Sequence, residues 1–358
     1  MTILTLKLFD KWLFCCLFVF DKNTIKNMKK VFFALIIGFS FASCNNDIDL
    51  FAEWENIPVV YGLIEADGND QYIRIERVFQ GEDGNAFDAA NNVDSIYYND
   101  DTYVTLTNNT TGQFTELEKT EVSATNGWDR EDGLFLRDPN FLYKLDKDEL
   151  SFEPGDELNL AMYNAVDDTP FAEASTIVLE PVDYQESSNK ILSFRPGKPT
   201  GFTFEHGPNA KIFDLIIYLN ITEVNGSEIT EKTIKWIVTQ GDVIPDNGSP
   251  FYSFSILGDG FYSILLSQLE KDPAINRFFG TMSVEFIVAG NELKEFNEIA
   301  LVNTGITSAQ VIPTYSNLSR GLGILSSKAS SIESELVLSE VALDTLRNSE
   351  LTAELNFF

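Results

Sequence analysis

The sequence has few of the residues that most often carry covalent or metal chemistry. Its 358 residues include three cysteines, Cys15, Cys16 and Cys44, and one histidine, His206. Because no cysteine follows Cys44, the rest of the chain has no disulfide of its own and must be stabilised by core packing or by bound ions. A nucleophile and histidine pair would have to use His206, yet neither a Gly-x-Ser-x-Gly elbow nor a His-Glu-x-x-His motif occurs. We expect His206, which precedes a Gly-Pro pair, to be a turn residue.

Basic residues are also scarce. The chain has 25 Lys and Arg against 55 Asp and Glu, which gives a formal net charge of −30. Such a negative field opposes binding to nucleic acid and to anionic lipid headgroups, so we predict no nucleic-acid partner. The acidic residues are spread along the chain without a long run. We interpret them as a solvated surface, with cation binding as the alternative.

A segment with the pattern of a secretion signal lies at residues 28–43, well inside the chain. Two lysines precede the uncharged run Val31–Phe41, and two small residues then lead to Cys44. A helix of that length spans about 16 Å, roughly half of the hydrocarbon core of a membrane, so the run is too short for a membrane span. We predict that residues 28–43 are a removable signal peptide. Residues 1–27 are then an over-extended gene start, with translation beginning at Met28.

The end of this segment, Phe41-Ala42-Ser43-Cys44, resembles the lipobox of bacterial lipoproteins, in which the cysteine is acylated and becomes the first mature residue. We predict a lipid such as palmitate on Cys44, with residues 44–54 as a tether to the membrane. The acidic stretch Asn45–Asp49 is similar to the signal that sends Bacteroidota lipoproteins to the outer face of the outer membrane, with a periplasm-facing anchor as the alternative. The alternatives are an ordinary signal peptide, or a buried strand, with a cysteine there by chance.

Alternation of apolar and polar residues predicts β-strands along much of the remaining chain. In Tyr72–Arg77 the isoleucines fall on one face and the charges on the other. Tyr103–Thr107 alternates in the same way before a turn at Asn108–Gly112, which predicts a hairpin. Short strands separated by turn residues, without alternating helices, favour an antiparallel β-sandwich over residues 55–181. The polar segment 181–189, which begins with a proline, is the expected domain boundary.

Residues 190–358 are predicted to form a second, β-rich domain with a few inserted helices, so the fold class is mainly β. The clearest strand is Phe278–Val288, in which apolar and polar residues alternate. Apolar residues recur at helical spacing between Phe261 and Leu269, and Pro273 limits that helix. Two further helices are expected, at Glu292–Leu301 and Glu340–Arg347.

Several segments together resemble one known family. Residues 312–325, with the sequence IPTYSNLSRGLGIL, are similar to the late Tyr-x-Asn-Ile-x-x-Gly-x-Gly-Ile-Phe signature of a group of uncharacterised Bacteroidota outer-membrane lipoproteins, which carry domain of unknown function 4249. The opening strand Val59–Ile64 is also similar to theirs, as is Pro154-Gly155-Asp156 with the strand that follows it.

The resemblance implies an immunoglobulin-like or carboxypeptidase-regulatory-like β-sandwich, followed by a family-specific β-rich part. It also implies a lipoprotein that accompanies outer-membrane receptors, and it supplies no catalytic residue. On physical grounds, Gly321 and Gly323 suit a tight turn or a close approach of the backbone into a buried strand.

Four acidic turn residues, Asp67, Asp70, Asp100 and Asp101, are candidates for calcium binding. Calcium takes about six to eight oxygen ligands and uses flexible acidic loops. None of the four fits an Asp-x-Asx-x-Asx-Gly loop, so solvated turns are the alternative.

Two tripeptides, Asp94-Ser95-Ile96 and Asp344-Thr345-Leu346, resemble the acceptor that Bacteroidota use for O-glycosylation of exported proteins. Ser95 and Thr345 are therefore candidate glycosylation sites. Intact-mass analysis of the chain from its native host would settle both.

Exposed aromatic residues are the remaining candidates for a binding surface. Trp128 lies in the polar stretch Asn126–Arg130 and is expected at the surface, where it could contact a ligand or a partner. Trp236 shares a face with two aliphatic neighbours and is expected in the core.

These features predict a lipid-anchored outer-membrane protein, exposed at the cell surface, that acts as a non-catalytic binding or accessory subunit. By analogy with the family, its partner is a TonB-dependent receptor, and a glycan is the other candidate. The alternatives are an extracytoplasmic hydrolase that uses paired carboxylates and an adhesion or structural module. A pocket lined by two carboxylates and aromatics would favour the hydrolase. A flat aromatic patch at one end of the sandwich would favour docking or adhesion.

Overall fold

The computed structural model describes residues 55–79, 86–185, 190–302 and 314–358. The predicted signal peptide, the tether and Cys44 lie outside the described residues. One compact unit extends from Trp54 to Phe358. Within the described ranges, no helix has both the length and the hydrophobicity that a membrane span requires.

Strands are the main secondary structure of the described residues and far outnumber helices, which confirms the mainly β fold class. The strands are β1 (Pro58–Ile64), β2 (Gln71–Arg77), β3 (Thr102–Asn108), β4 (Gln113–Glu116), β5 (Glu118–Glu121), β6 (Phe141–Leu145), β7 (Glu157–Asn164), β8 (Ala172–Ile177), β9 (Asp183–Tyr184), β10 (Ile191–Leu192), β11 (Pro199–Glu205), β12 (Ile212–Asn225), β13 (Glu228–Val243), β14 (Phe251–Leu257), β15 (Ile275–Ala289) and β16 (Leu322–Leu338). The helices are α1 (Ala86–Ala90), α2 (Val93–Ile96), α3 (Val122–Asn126), α4 (Asp259–Gln268), α5 (Asn291–Val302) and α6 (Glu340–Asn348), with a 3-10 turn at Ala353–Leu355.

The first part of the described chain is a β-sandwich, as predicted. Strands in the order β1-β2-β6-β5 face strands in the order β4-β3-β7-β8. This is the arrangement of an immunoglobulin-like sandwich, in which the inward residues of both sheets share one core. The core takes alternate residues from each strand: Val60, Ile64, Ile73, Ile75, Tyr143 and Leu145 from one sheet, and Val104, Leu106, Leu158, Leu160, Met162 and Ala174 from the other.

The predicted hairpin after Tyr103–Thr107 is confirmed, but its second arm changes sheets. Asn108 shapes the turn, because its side-chain oxygen accepts the backbone N–H groups of Thr110 and Thr111 at 3.0 and 3.1 Å. Strand β4 then pairs with β3, whereas β5, two residues further on, pairs with β6 of the facing sheet. Leu117 lies at the crossing and is buried in the sandwich core.

Strand β16 runs across both of the predicted domains. Its first residues pair in parallel with β1, from Leu322 opposite Val59 to Ser327 opposite Ile64. Beyond that point it pairs antiparallel with β15. A single sheet, β13-β12-β15-β16-β1-β2-β6-β5, therefore extends through residues on both sides of segment 181–189.

A second core lies under the other half of this sheet. The inner faces of β12, β13 and β15 pack against the small sheet β14-β11-β9 and against helices α4 and α6. Aromatic rings fill much of the space: Phe194, Phe202, Phe204, Phe213, Phe261 and Phe286. The three helices predicted in this part of the sequence are present as α4, α5 and α6. Trp236 belongs to this core, as predicted.

The late motif of residues 312–325 has a structural role over its described part. A Cβ on Gly323 would lie 2.0 Å from the carbonyl oxygen of Val60, and one on Gly321 would lie 2.6 Å from that of Pro58. Both glycines have positive φ, which confirms the predicted close backbone approach. Asn317 fastens the turn before them, because its amide donates to Leu325 O at 2.7 Å while its oxygen accepts the Leu325 N–H.

Candidate functional site

Trp128 lies on a loop whose two ends are fixed by one carboxylate. Helix α3 ends at Gly127, which adopts a left-handed conformation, and residues 127–140 (the Trp128 loop) lead to β6. The Glu121 side chain accepts the N–H groups of Ser123 and Ala124 at the start of α3, and that of Asn140 at the far end of the loop. These backbone donors lower the pKa of Glu121. The carboxylate therefore stays charged, and its hydrogen bonds hold both ends of the loop.

The indole of Trp128 packs against a neighbouring ring on one side and is exposed to solvent on the other. Its ring meets that of Tyr72 edge to face, with the centroids 4.9 Å apart. Its carbonyl oxygen accepts a hydrogen bond from the Asn140 amide at 2.8 Å. The residue nevertheless retains 47% exposure. An aromatic ring fixed on one side and open on the other can be covered by a partner at little conformational cost.

Charged residues continue the site along the outer face of β2. Glu76 accepts hydrogen bonds from Arg74 at 3.0 Å and from Arg130 at 2.6 Å. The Arg130 guanidinium also lies 5.1 Å from the centroid of the Phe135 ring. Its Nη1 is buried and has no hydrogen-bond partner among the residues that the structure describes. Arg137 links two carboxylates of the same loop, those of Asp129 and Asp132.

Exposed apolar side chains occur on the same loop and on helix α1. We call Phe87, Trp128, Leu134 and Phe135 the aromatic surface, because each is more than two-fifths exposed. Phe135 also contacts Phe79, the second residue after β2, with the ring centroids 6.1 Å apart. The Trp128 loop reaches α1 as well, since Leu136 N–H donates to Ala90 O at 2.9 Å.

The strand directions explain why these segments meet at one end of the sandwich. Strands β2 and β5 both pair antiparallel with β6, so they run in the same direction and finish at the same end of the sheet. The connection after β2 carries α1, and the connection after β5 carries the Trp128 loop. Loops at one end of an immunoglobulin-like sandwich commonly form its binding surface. Trp128 packs on Tyr72 near the start of β2, and Phe135 packs on Phe79 beyond its end, so these exposed aromatic residues lie along the outer face of that strand.

A pocket with paired carboxylates would favour a hydrolase, and three clefts formed by described residues have no such pair. These three clefts are lined by a single carboxylate each, Glu180, Asp246 or Asp214. His206 lines the second of these clefts and directly follows β11, in the connection to β12, with Nδ1 2.9 Å from Gly207 O.

Three of the four calcium candidates accept hydrogen bonds from other groups. Asp67 accepts hydrogen bonds from the backbone and side chain of Asn69. Asp70 accepts the Lys147 N–H and pairs with Lys144 at 3.0 Å, and these two contacts lower its pKa. Asp100 and Asp101 are exposed, and Asp101 accepts from the Asn99 amide. In the described ranges, no group of three or more His, Cys, Asp or Glu side chains is placed to hold a metal ion.

The two glycosylation candidates differ in their surroundings. Ser95 is half-buried in the four-residue helix α2, and its carbonyl oxygen accepts from Arg77. Thr345 lies on α6 with its hydroxyl donating back to Val341 O at 2.9 Å. Attachment of a sugar at Thr345 would remove the hydroxyl hydrogen and break that bond. No such bond to a described residue would be lost at Ser95, which is therefore the better candidate for glycosylation.

Comparisons with known proteins identify no family for this chain. No protein-family model matches it, and no curated protein matches it significantly. Among solved structures, a crystal structure of chicken CNTN1 FN1-FN3 domains is similar at 9% identity with a TM-score of 0.14. The match covers 76% of this chain and 65% of that one, slightly less than two thirds of its length.

Proposed function

We propose that this protein is a lipid-anchored, non-catalytic binding subunit of the outer membrane, displayed at the cell surface. Cys44 carries the lipid, residues 44–54 act as the tether, and the aromatic surface contacts the partner. By analogy with the lipoproteins that residues 312–325 resemble, that partner is an outer-membrane receptor of the TonB-dependent type.

The observation that carries this proposal is the exposure of Trp128, Leu134 and Phe135 on a loop held at both ends. Large apolar side chains grouped at a surface mark interaction sites more often than isolated ones do. Trp and Arg are the residues most enriched among those that dominate binding energy. Because the loop is already ordered by Glu121, little conformational entropy is lost when a partner covers it.

Replacing Trp128 by alanine is expected to reduce recovery of the receptor at least about tenfold, as the loss of a central aromatic contact does in other interfaces. The tagged chain is purified from detergent-solubilised membranes of its native host, and co-purifying proteins are quantified relative to the bait. Phe114→Ala is the matched control, because Phe114 is 70% exposed on β4 and lies in the facing sheet.

A receptor lost on Cys44→Ala but kept on Trp128→Ala would assign the association to anchoring and not to the loop. A receptor kept by both variants would contradict the proposal as a whole. Equal losses on Trp128→Ala and Phe114→Ala would show that the effect is not specific to the aromatic surface.

A further inference from the structure

The largest of the three described clefts lies on the outer face of the long sheet, beside helix α5. It has a volume of about 730 Å³, within the range of pockets that hold small molecules. Its walls are mostly apolar, and they include Leu63, Ile212, Ile287, Ala289, Leu293 and Ala300. The cleft is separate from the aromatic surface, none of whose residues lines it.

A β-bulge places one carboxylate in this cleft. Phe213 pairs with Asp242 and Leu215 pairs with Thr239, so two residues of β13 lie opposite Asp214 alone. The second of those two, Gly241, has a φ of 68° and donates its N–H to Asp214 Oδ1 at 2.7 Å. Bulges of this kind redirect side chains and are common beside functional sites. The hydrogen bond fixes the carboxylate and leaves Oδ2 able to accept another donor.

The charges around the cleft do not cancel. Lys328 lines it, but its ammonium lies 2.9 Å from Glu65, whose carboxylate also accepts the Ser330 hydroxyl. That pair is therefore internally neutral. Asp214 forms no ion pair with any described Lys or Arg, which leaves the cleft with one net negative charge. The net charge of −30 on the chain adds to the attraction for cations.

Two amide side chains line the same cleft. Gln240 and Asn297 both line the cleft, and the Asn297 amide nitrogen lies 4.0 Å from the position that a Cβ on Gly241 would occupy. A primary ammonium group has three donors and no acceptor. Asp214 Oδ2 is one acceptor for it, and the side-chain oxygens of Gln240 and, once its amide is rotated, of Asn297 would supply two more.

We propose that this cleft binds a small organic cation, a primary amine with an apolar body. The ammonium group sits against Asp214 Oδ2, and the apolar body lies along Leu63, Ile287 and Leu293. The site is independent of the proposed receptor contact, so the failure of either proposal leaves the other standing.

The test uses three probes that share one apolar body and differ in charge: octylammonium, octanol and octanoate. Binding to the full chain is measured by isothermal titration calorimetry below the aggregation limit of each probe. We expect octylammonium to bind at least about tenfold more tightly than octanol, a difference of about 1.4 kcal/mol, and octanoate to bind most weakly.

Variants separate the cleft from the general acidity of the surface. Asp214→Asn keeps an oxygen for the Gly241 N–H but removes the charge, so it is expected to abolish the preference for octylammonium. Asp242→Asn removes an equal charge from an exposed neighbouring residue and is expected to preserve that preference. Ala300→Phe, on the exposed side of α5, fills the cleft and is expected to weaken all three probes.

Three results would overturn the proposal. The first is equal affinity for octanoate and octylammonium. The second is an equal effect of Asp214→Asn and Asp242→Asn, which would indicate attraction to the acidic surface in general. The third is octylammonium affinity unchanged by Ala300→Phe in a variant that melts like the parent chain.

Discussion

Replacing Gly323 by alanine is expected to lower the free energy of unfolding by about 4 kcal/mol, because two penalties combine at this residue. Its φ of 94° is unfavourable for any residue with a Cβ. The added Cβ would also lie 2.0 Å from the Val60 carbonyl oxygen, which is part of the backbone and cannot rotate away. Strands β1 and β16 would have to separate at the point where they begin to pair.

Gly226→Ala is the matched control for this prediction. Gly226 has a φ of 62° in the turn between β12 and β13, but a Cβ there would meet no atom within 4 Å. Its cost is expected to be only the conformational part, about 1 to 2 kcal/mol. Urea-induced unfolding measures both values. Equal losses in the two variants would contradict the assigned close approach between Gly323 and Val60.

Replacing Arg277 by methionine is expected to lower the free energy of unfolding by about 3 to 5 kcal/mol, as the loss of one member of a buried ion pair does. Arg277 has no exposed surface, and its Nε lies 2.7 Å from Glu223. Its two other nitrogens donate to the carbonyl oxygens of Leu355 and Glu270. Methionine keeps much of the volume but leaves the Glu223 carboxylate and both carbonyls without these donors.

The control for Arg277 is Lys271→Ala, which removes an ion pair with Glu354 that is exposed on both sides. Surface pairs contribute about 0 to 1 kcal/mol, so this variant is expected to unfold close to the parent chain. The same unfolding experiment serves both variants. A loss below about 1 kcal/mol for Arg277→Met would show that water or other groups replace the guanidinium in the native state.

Local patterns in the sequence predict the strands and helices well, because each depends on spacing within one segment. The alternation in Tyr72–Arg77 and the helical spacing after Phe261 both correspond to observed elements. The parallel pairing of β16 with β1 could not be predicted in this way. It joins residues more than 250 positions apart, and no periodicity within either strand specifies its partner. The change of sheets at Leu117 is hidden for a similar reason, since nothing within residues 113–121 specifies which strand each half pairs with.

The candidate site was only partly predictable. Trp128 stands out as an aromatic residue in a polar loop, and its exposure agrees with the expectation. Its contact with Tyr72 and the Arg130–Glu76 ion pair join segments more than 50 residues apart, so spacing could not reveal them. Leu134 and Phe135 were missed, although an apolar run between Gly133 and Arg137 in an acidic loop is a usable signal.

The cleft beside α5 could not be predicted from the sequence, because the register between β12 and β13 decides where the Asp214 carboxylate lies. Asp214 lies in a strongly apolar strand, where a lone acidic residue suggests only an outward-facing position. The bulge that places Asp214 opposite Gln240 and Gly241 arises from the pairing of β12 with β13. Turn residues in the sequence mark the ends of these strands and not an irregularity within them.

The proposed function depends above all on a lipid at Cys44, and metabolic labelling detects that lipid. Cells that express the full chain or Cys44→Ala are grown with radiolabelled palmitate and then separated into membrane and soluble fractions. We expect a labelled parent chain in the membrane fraction and an unlabelled Cys44→Ala variant released from it. An unlabelled parent chain recovered in the soluble fraction would contradict the account, as would label that persists on Cys44→Ala.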